Sequence, residues 1–518
     1  MKLKTNNIVI VGGGSSGWMT AATLLSQFPN KKITLVESPN IATVGVGEST
    51  LGSINNWCEL IGIKDKDFLS QVDGTFKLSI QFENFYRKDS GKFHYPFGVP
   101  YLEGNQTELN DWYFKKILHP ETPVSDYAEC HFPQMSLISQ NKLFRNEDER
   151  LPYFNFLQDT AYHFDATKFG FWLRDEFCLP KGLNHILSEV KGITQNEDGI
   201  QDLILDDDRK ISGDLFIDCT GFKSLLMGEA LKEPFIPYGD ILPNNSAWTT
   251  RIPYKNKKKE IVTYTNCAAI GNGWVWSIPL WSRMGSGYVF SDDFISDDDA
   301  LVEFQNHIGY GDELEYKLLK MRIGIHNRLW VKNVVTIGLS AGFIEPLEST
   351  GLQLTHHSLY HLTRVLQRET SNQFDRDQFT AICKADFREA AEFVSMHFAL
   401  SHRDDTPYWK EITDRSVASD IVEQQHASFV NGFTTAVFDV HRRFNFQPIG
   451  GTHCIGAGMN WGPTDRPALI HGAGNYHLDI EKQFRKCINR LDDRKESWRL
   501  AVKDCPTPYE FLKENFYK

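Results

Sequence analysis

The sequence predicts an α/β fold with a largely helical C-terminal part, and three observations predict it. A β-branched apolar run, Ile8-Val9-Ile10-Val11, breaks at Gly12 and restarts as a small-residue helical pattern at about Ser15. Two further apolar runs, around Leu215–Asp218 and Val334–Ile337, read as buried strands that also end at turns, which contain Gly221 and Gly338. From Gly351 onward helical periodicity dominates, over Gln353–Leu366, Asp375–Leu400, Ile421–Phe433 and Ile480–Val502.

The first turn carries G-x-G-x-x-G as Gly12, Gly14 and Gly17, in the strand–turn–helix context where that pattern marks a dinucleotide site. Gly12 makes the tight turn, Gly14 admits a pyrophosphate close to the backbone, and Gly17 lets helix and strand approach. Ser15 and Ser16 open the helix, whose free N–H groups and dipole suit phosphate. Lys32–Val36 reads as the next strand and ends in Glu37, about twenty residues beyond Gly17, where a carboxylate suits a ribose diol. A second Gly-rich turn at Val44–Thr50 adds Gly47, Glu48 and Ser49 to the cofactor-binding candidates, and Gly338 joins them from the later turn. Nicotinamide and flavin enzymes share such a turn, so the motif by itself leaves the dinucleotide open.

With 518 residues the chain can bury a large core and hold two modules. The plan expected is a discontinuous nucleotide-binding module over 1–350, with substrate-site loops inserted at about 86–150, and a helical substrate-binding part over 351–518. A net charge of −12 argues against nucleic acid or an anionic membrane as partner. No stretch reaches the eighteen or so apolar residues of a membrane span, and the first strand starts too early to leave room for a signal peptide. Nine cysteines lie scattered with no metal-ligand spacing, so a reduced, cytoplasmic protein without a metal is expected. Self-association into a homo-oligomer is left open. Aromatic residues make up 13% of the chain, enough to line a pocket for a flat apolar substrate as well as a core.

Between these landmarks, Ile54–Ile63 reads as a helix and Tyr162–Ala166 as the opening of a helix running through Arg174. Gly74–Phe82 reads as a strand whose alternation puts Phe76, Leu78, Ile80 and Phe82 on one face and Lys77 on the other. Strands are also expected at His185–Ile193, Gly199–Leu205, Trp274–Leu280 and Gly287–Phe290. Pro346-Leu347-Glu348-Ser349-Thr350-Gly351 reads as a helix entrance with Ser349 as N-cap, which leaves the first amides free for a small anion or for water.

Four stretches together carry a resemblance: Gly12–Gly17, Gly74-Thr75-Phe76-Lys77, Trp274-Val275-Trp276-Ser277-Ile278-Pro279, and Pro346–Gly351. On these the chain resembles the flavin-dependent halogenases of the tryptophan-halogenase type, over roughly residues 5–410. The resemblance implies an FAD-binding two-dinucleotide-type fold, in which reduced FAD and O₂ convert chloride, bromide or iodide into hypohalous acid. It implies that Trp274, Trp276 and Pro279 wall the flavin from organic substrate, and that Thr350 and Gly351 bind the halide. It further implies that Lys77 activates the oxidant beside the substrate, by hydrogen bond or as an N-haloamine, while Glu348 takes the ring proton. A capped helix stabilised by Glu345 or Glu348 is the plainer alternative for that last stretch.

The substrate end departs from the tryptophan enzymes. Tyr95, Pro96 and Phe97 follow His94 where a His–Phe pair is usual, and Ile449–Gly462 holds one aromatic, Trp461, and no carboxylate. An indole, phenol or larger aromatic scaffold is therefore as well suited as free tryptophan. Only one G-x-G-x-x-G opens a helix after a strand, so a separate flavin reductase is the expected partner. An FAD-dependent aromatic monooxygenase and a non-catalytic flavin-binding protein are the competing readings.

Overall fold

A computed structural model describes residues 3–40, 47–104, 106–416, 451–461 and 480–518. The helix expected at Ile421–Phe433 lies outside the described residues. The chain divides into two compact units, each built from three segments.

The first unit comprises 1–74, 163–245 and 319–390. Its centre is a six-stranded sheet in the order Trp330–Val331, Val334–Thr336, Leu215–Asp218, Asn7–Val11, Lys32–Glu37, Asn184–Leu187. All neighbours run parallel except the antiparallel edge strand Trp330–Val331. The β-branched runs that announce these strands are buried on both faces, as a parallel sheet requires. Val9, Val11, Phe216 and Val334 share one core with Leu203, Leu205 and Met227. The helix Ser15–Gln27 packs against the helix Thr350–Leu366, so residues just beyond 350, expected with the C-terminal part, fall in this unit.

The second unit comprises 75–162, 246–318 and 391–518. Its seven-stranded sheet runs Lys317–Lys320, Ser246–Ile252, Met284–Phe290, Gly273–Pro279, Tyr264–Ile270, Ser79–Glu83, Lys92–Pro96. The strand Lys92–Pro96 falls within 86–150, where loops and short helices are expected from sequence. It pairs antiparallel with Ser79–Glu83, placing Tyr95 opposite Ile80 and His94 opposite Gln81. Its polar and aromatic composition hides the period-2 signal, and the partner strand supplies the missing stabilisation. Gly451–Gly458 is a helix, and Ile480–Ala501 and Pro508–Asn515 close the chain's described part.

Tyr162–Ala166 does not open a helix as expected. Ala161–Phe164 is a strand, and its His163 and Phe164 pair with Ser49 and Glu48. The helix begins at Ala166, capped by Asp165, whose carboxylate accepts the amides of Thr167 and Lys168 at 3.0 Å each. Asp165 is thus the stop signal for the strand as well as the start signal for the helix.

Among the described residues no helix is long and apolar enough to cross a membrane, and no group of His, Cys, Asp and Glu is arranged to hold a metal.

Candidate active site

In the first unit the three glycines of the opening turn meet different surroundings. Gly12 has φ +113° and donates its amide to the Val36 carbonyl at 2.8 Å. A Cβ there would lie 2.3 Å from the Cys219 carbonyl oxygen, and one on Gly17 would lie 1.9 Å from the carbonyl oxygen of Gly12. Gly14 is the N-cap of Ser15–Gln27, and a Cβ on it would meet nothing within 4 Å. Two glycines are therefore demanded by the protein's own packing, while Gly14 borders open space at a helix N-terminus. That is a cradle of the kind a pyrophosphate fills. Gly338, at φ +73°, comes so close to this helix that its Cβ would lie 2.5 Å from that of Ser16.

Glu37 stands beside the turn at the end of its strand. Its carboxylate covers Gly13 and is 2.9 Å from Nε2 of His185, which the next strand carries opposite Leu35. Gly47 has φ +115°, and Glu48 follows in a two-residue strand. Burial, with the nearby Asp165 carboxylate second, pushes the Glu48 carboxyl up to about 7. These residues fit a dinucleotide, with carboxylate oxygens to accept from hydroxyls and amides to donate to phosphate.

The Pro346–Glu348 stretch forms one 3₁₀ turn, and Ser349 bridges it to the helix Thr350–Leu366. Ser349 occupies the N-cap position but does not cap with its side chain. It is left-handed, at φ +59°, and its hydroxyl donates to Ser49 at 3.0 Å. Tertiary contact with the Gly47–Ser49 turn thus displaces the local capping expected from sequence. Glu345 and Glu348 are both fully buried, and Glu345 accepts a hydrogen bond from Asn244 at 2.8 Å. The Thr350 hydroxyl is buried without a hydrogen-bond partner among the described residues, and a Cβ on Gly351 would meet nothing within 4 Å. The helix entrance therefore offers donors and space together.

In the second unit, Lys77 sits on the strand Thr75–Lys77 with 0% of its surface exposed. Its ammonium lies 4.8 Å from the centre of the Phe97 ring, within cation–π reach. Phe97 is held in turn: its carbonyl accepts from the Gln134 side-chain amide, and its ring meets Tyr95 edge-on at 6.3 Å. Thr75 donates its hydroxyl to the Pro279 carbonyl at 2.6 Å, joining the G-T-F-K strand to the end of the W-x-W-x-I-P strand. Trp274 and Trp276 project from one face of that strand, ring centres 6.1 Å apart, and both are buried. Trp276 reaches over Gly287, its partner on the neighbouring strand, where a Cβ would come within 2.2 Å of the indole. From sequence Gly287 was only the first residue of an expected strand, Gly287–Phe290.

Pro96 is buried in the strand Lys92–Pro96, opposite Ser79. Tyr95 packs so closely on Gly451 that a Cβ there would be 2.8 Å from the phenol ring. Trp461 donates its indole N–H to the Leu400 carbonyl at 2.6 Å and packs edge-on against His402.

His94, noted in the sequence only as preceding Tyr95, is locked by two polar partners. Gln81 approaches Nε2 at 2.7 Å and Ser79 approaches Nδ1 at 3.0 Å. Their alternation with Leu78, Ile80 and Phe82 was the signal that could have found this triad. Burial, with Lys92 second, pushes the imidazole down to about 3, against an ordinary value of 6.5. Below pH 6.5 the unfolded chain takes up a proton that the folded protein refuses, so this residue's contribution to stability is lost as pH falls towards 3. Thermal melts of wild type and His94→Gln between pH 7 and 4 should show a Tm gap that narrows on acidification. A gap that does not change with pH would show that His94 stays charged or exposed.

A family model described as tryptophan halogenase matches residues 7–458. Tryptophan 6-halogenase ThaL of Streptomyces albogriseolus is 30% identical over 99% of both chains. Among solved structures, VirX1 is 38% identical with a TM-score of 0.92, over 99% of this chain and 100% of its own. BrvH, a flavin-dependent halogenase from Brevundimonas sp. BAL3, is 28% identical with a TM-score of 0.85, over 99% of both chains.

Proposed function

Since the chain belongs to the tryptophan halogenase family and is a flavin-dependent halogenase, we propose that it places electrophilic halogen on an indole-like or other aromatic ring with the help of Lys77. The observation that carries this reading is the complete burial of a lysine whose ammonium is held over Phe97. A solvent-facing role does not fit this burial, whereas a role beside the reacting oxidant does.

Reduced FAD, when bound, supplies with O₂ the two-electron oxidising power that turns halide into hypohalous acid. Gly12, Gly14, Gly17, Ser15 and Ser16 would hold its pyrophosphate, with Glu37, Glu48, Ser49 and Gly338 around the rest. Thr350 and Gly351 would hold the halide. Trp274 and Trp276 exclude organic substrate from the oxidising centre, and Pro279 ends that wall. The Lys77 ammonium donates a hydrogen bond to the oxygen of hypohalous acid. The carbon–halogen bond forms as the oxygen–halogen bond breaks, the oxygen leaves as water with the ammonium's proton, and the ring proton passes to Glu348. Tyr95 and Phe97 supply flat apolar surface for the ring, with Pro96 between them, and Trp461 is the more distant aromatic candidate. Chloride, bromide and iodide are all candidate halides. Reduced flavin would come from a separate reductase, since a single G-x-G-x-x-G in the sequence opens a helix after a strand.

The test is product mass from a panel of indoles and phenols with each halide, a flavin reductase and NADH. Halogenated product is expected only with the reductase present. Glu348→Gln should slow halogen transfer by about 10²-fold, a usual contribution for proton transfer, with flavin oxidation retained. Hydroxylated product alone, in the presence of halide, would overturn the reading.

A further inference from the structure

Along the strand Thr75–Lys77 neighbouring side chains point to opposite sides, so Phe76 backs the segment whose other side presents Lys77. Four rings surround Phe76: Phe156 at 5.0 Å, Phe516 at 5.6 Å, Tyr162 at 5.7 Å and Phe511 at 6.0 Å between centres. Two of the four come from residues 507–517, more than 430 positions away in sequence. That segment is firmly built. Its helix, Pro508–Asn515, starts in a capping box, with the Glu510 amide donating to the Thr507 hydroxyl at 3.3 Å and the Thr507 amide donating to the Glu510 carboxylate at 2.9 Å.

Trp281 holds the same segment from a second direction. The Tyr517 ring stacks on it at 4.0 Å and 7°, the Tyr509 ring at 5.4 Å and 11°, and the Lys257 ammonium lies 3.5 Å from the indole centre. Trp281 stands two residues after Pro279, whose carbonyl accepts the Thr75 hydroxyl. The two residues that precede Lys77 are therefore both fastened to one aromatic clasp: Phe76 through Phe511 and Phe516, and Thr75 through the backbone leading to Trp281.

None of these rings has a part in halogen transfer as proposed above. We infer that residues 507–517, through Phe511, Phe516 and Tyr517, are positioning residues for Lys77. The inference rests on the catalytic reading of Lys77. A strand of three residues has little stiffness of its own, so the height of the ammonium over Phe97 is set by what packs behind Phe76. Loss of the clasp lets Lys77 shift without removing it. A displacement of about 1 Å at the reacting groups is enough to cost on the order of 10²-fold in rate.

The test uses the full chain with chemically reduced FAD, and the aromatic substrate and halide that wild type turns over best. Two quantities are read: the rate of flavin oxidation, and halogenated product formed per flavin oxidised. Phe516→Ala and Tyr517→Ala should oxidise flavin within about twofold of wild type, yet give about a tenth or less of its product per flavin, the missing oxidant appearing on a dissolved diketone trap. Phe516→Leu, which keeps most of the volume, should recover much of the lost coupling, and Trp281→Ala should reproduce the defect from the other side of the clasp. Unchanged product per flavin in Phe516→Ala and Trp281→Ala would overturn the inference, as would a parallel fall in flavin oxidation, which means general loss of structure. Lys77→Ala is measured beside them. Full halogenation by Lys77→Ala refutes the catalytic reading itself, whereas its loss there alongside normal coupling in the clasp variants refutes only this inference.

Discussion

Lys77→Ala should lose aromatic halogenation by about 10³-fold or more while still consuming O₂ and oxidising reduced flavin at close to the wild-type rate. The size of the effect follows from what the side chain does. A hypohalous acid molecule fixed beside its target has an effective concentration of order 10⁵ M or higher, and one that diffuses away has the bulk concentration. The selectivity of the effect follows from the step proposed for Lys77, which acts after hypohalous acid has formed. Stopped-flow oxidation of reduced flavin, run beside mass spectrometry of the aromatic product, separates the two steps. Lys77→Arg is a useful companion: it keeps the charge but cannot be neutral, so recovered activity would favour the hydrogen-bonded oxidant over an N-haloamine. Full halogenation by Lys77→Ala would make Lys77 a structural cation and end the catalytic assignment.

Substitutions in the opening turn should divide into two classes. Gly17→Ala and Gly12→Ala should unfold or strongly destabilise the first unit. Their new Cβ atoms would lie 1.9 Å and 2.3 Å from backbone carbonyl oxygens, which cannot swing aside as a flexible side chain can. Overpacking of this kind costs about 1–3 kcal/mol or more, and Gly12 adds the strain of a positive φ. Gly14→Val should behave in the opposite way. Its backbone, at φ −77°, suits any residue, and a Cβ there comes within 4 Å of no packed neighbour. Stability should change by no more than about 1 kcal/mol, the scale of an N-cap substitution. FAD binding should fall to undetectable levels, because the isopropyl group occupies the approach to the helix amides. Thermal melts with and without FAD distinguish the classes. Tight flavin binding by Gly14→Val would mean that the pyrophosphate lies elsewhere.

The helix entrance at Thr350 and the burial of Lys77 illustrate different kinds of legibility. Strands, glycine turns and long helices were readable because each rests on interactions within a few residues. Ile8–Val11 has β-branched side chains in sequence, Gly12 tolerates its φ because it has no Cβ, and Thr350–Leu366 repeats apolar residues on one face. The G-x-G-x-x-G turn was readable for the same reason, because a short, locally determined turn carries it. Local rules failed where a distant partner outbid them. Ser349 gives up its cap to Ser49, 300 residues away, Ala161–Phe164 becomes a strand because Glu48 and Ser49 pair with it, and Lys92–Pro96 becomes one because Ser79–Glu83 does.

By itself, then, the sequence determined the α/β nucleotide turn, the helical character of the described C-terminal stretches and the short list of polar residues able to carry chemistry. Only the tertiary structure decided that Lys77 is wholly buried over Phe97, that Gly287 makes room for Trp276, and that residues 507–517 stand behind Phe76. The physical reason is one of range. Propensity, periodicity and turn geometry act over neighbouring residues and leave their mark on composition, whereas burial and ring packing join residues from remote segments and leave no local mark.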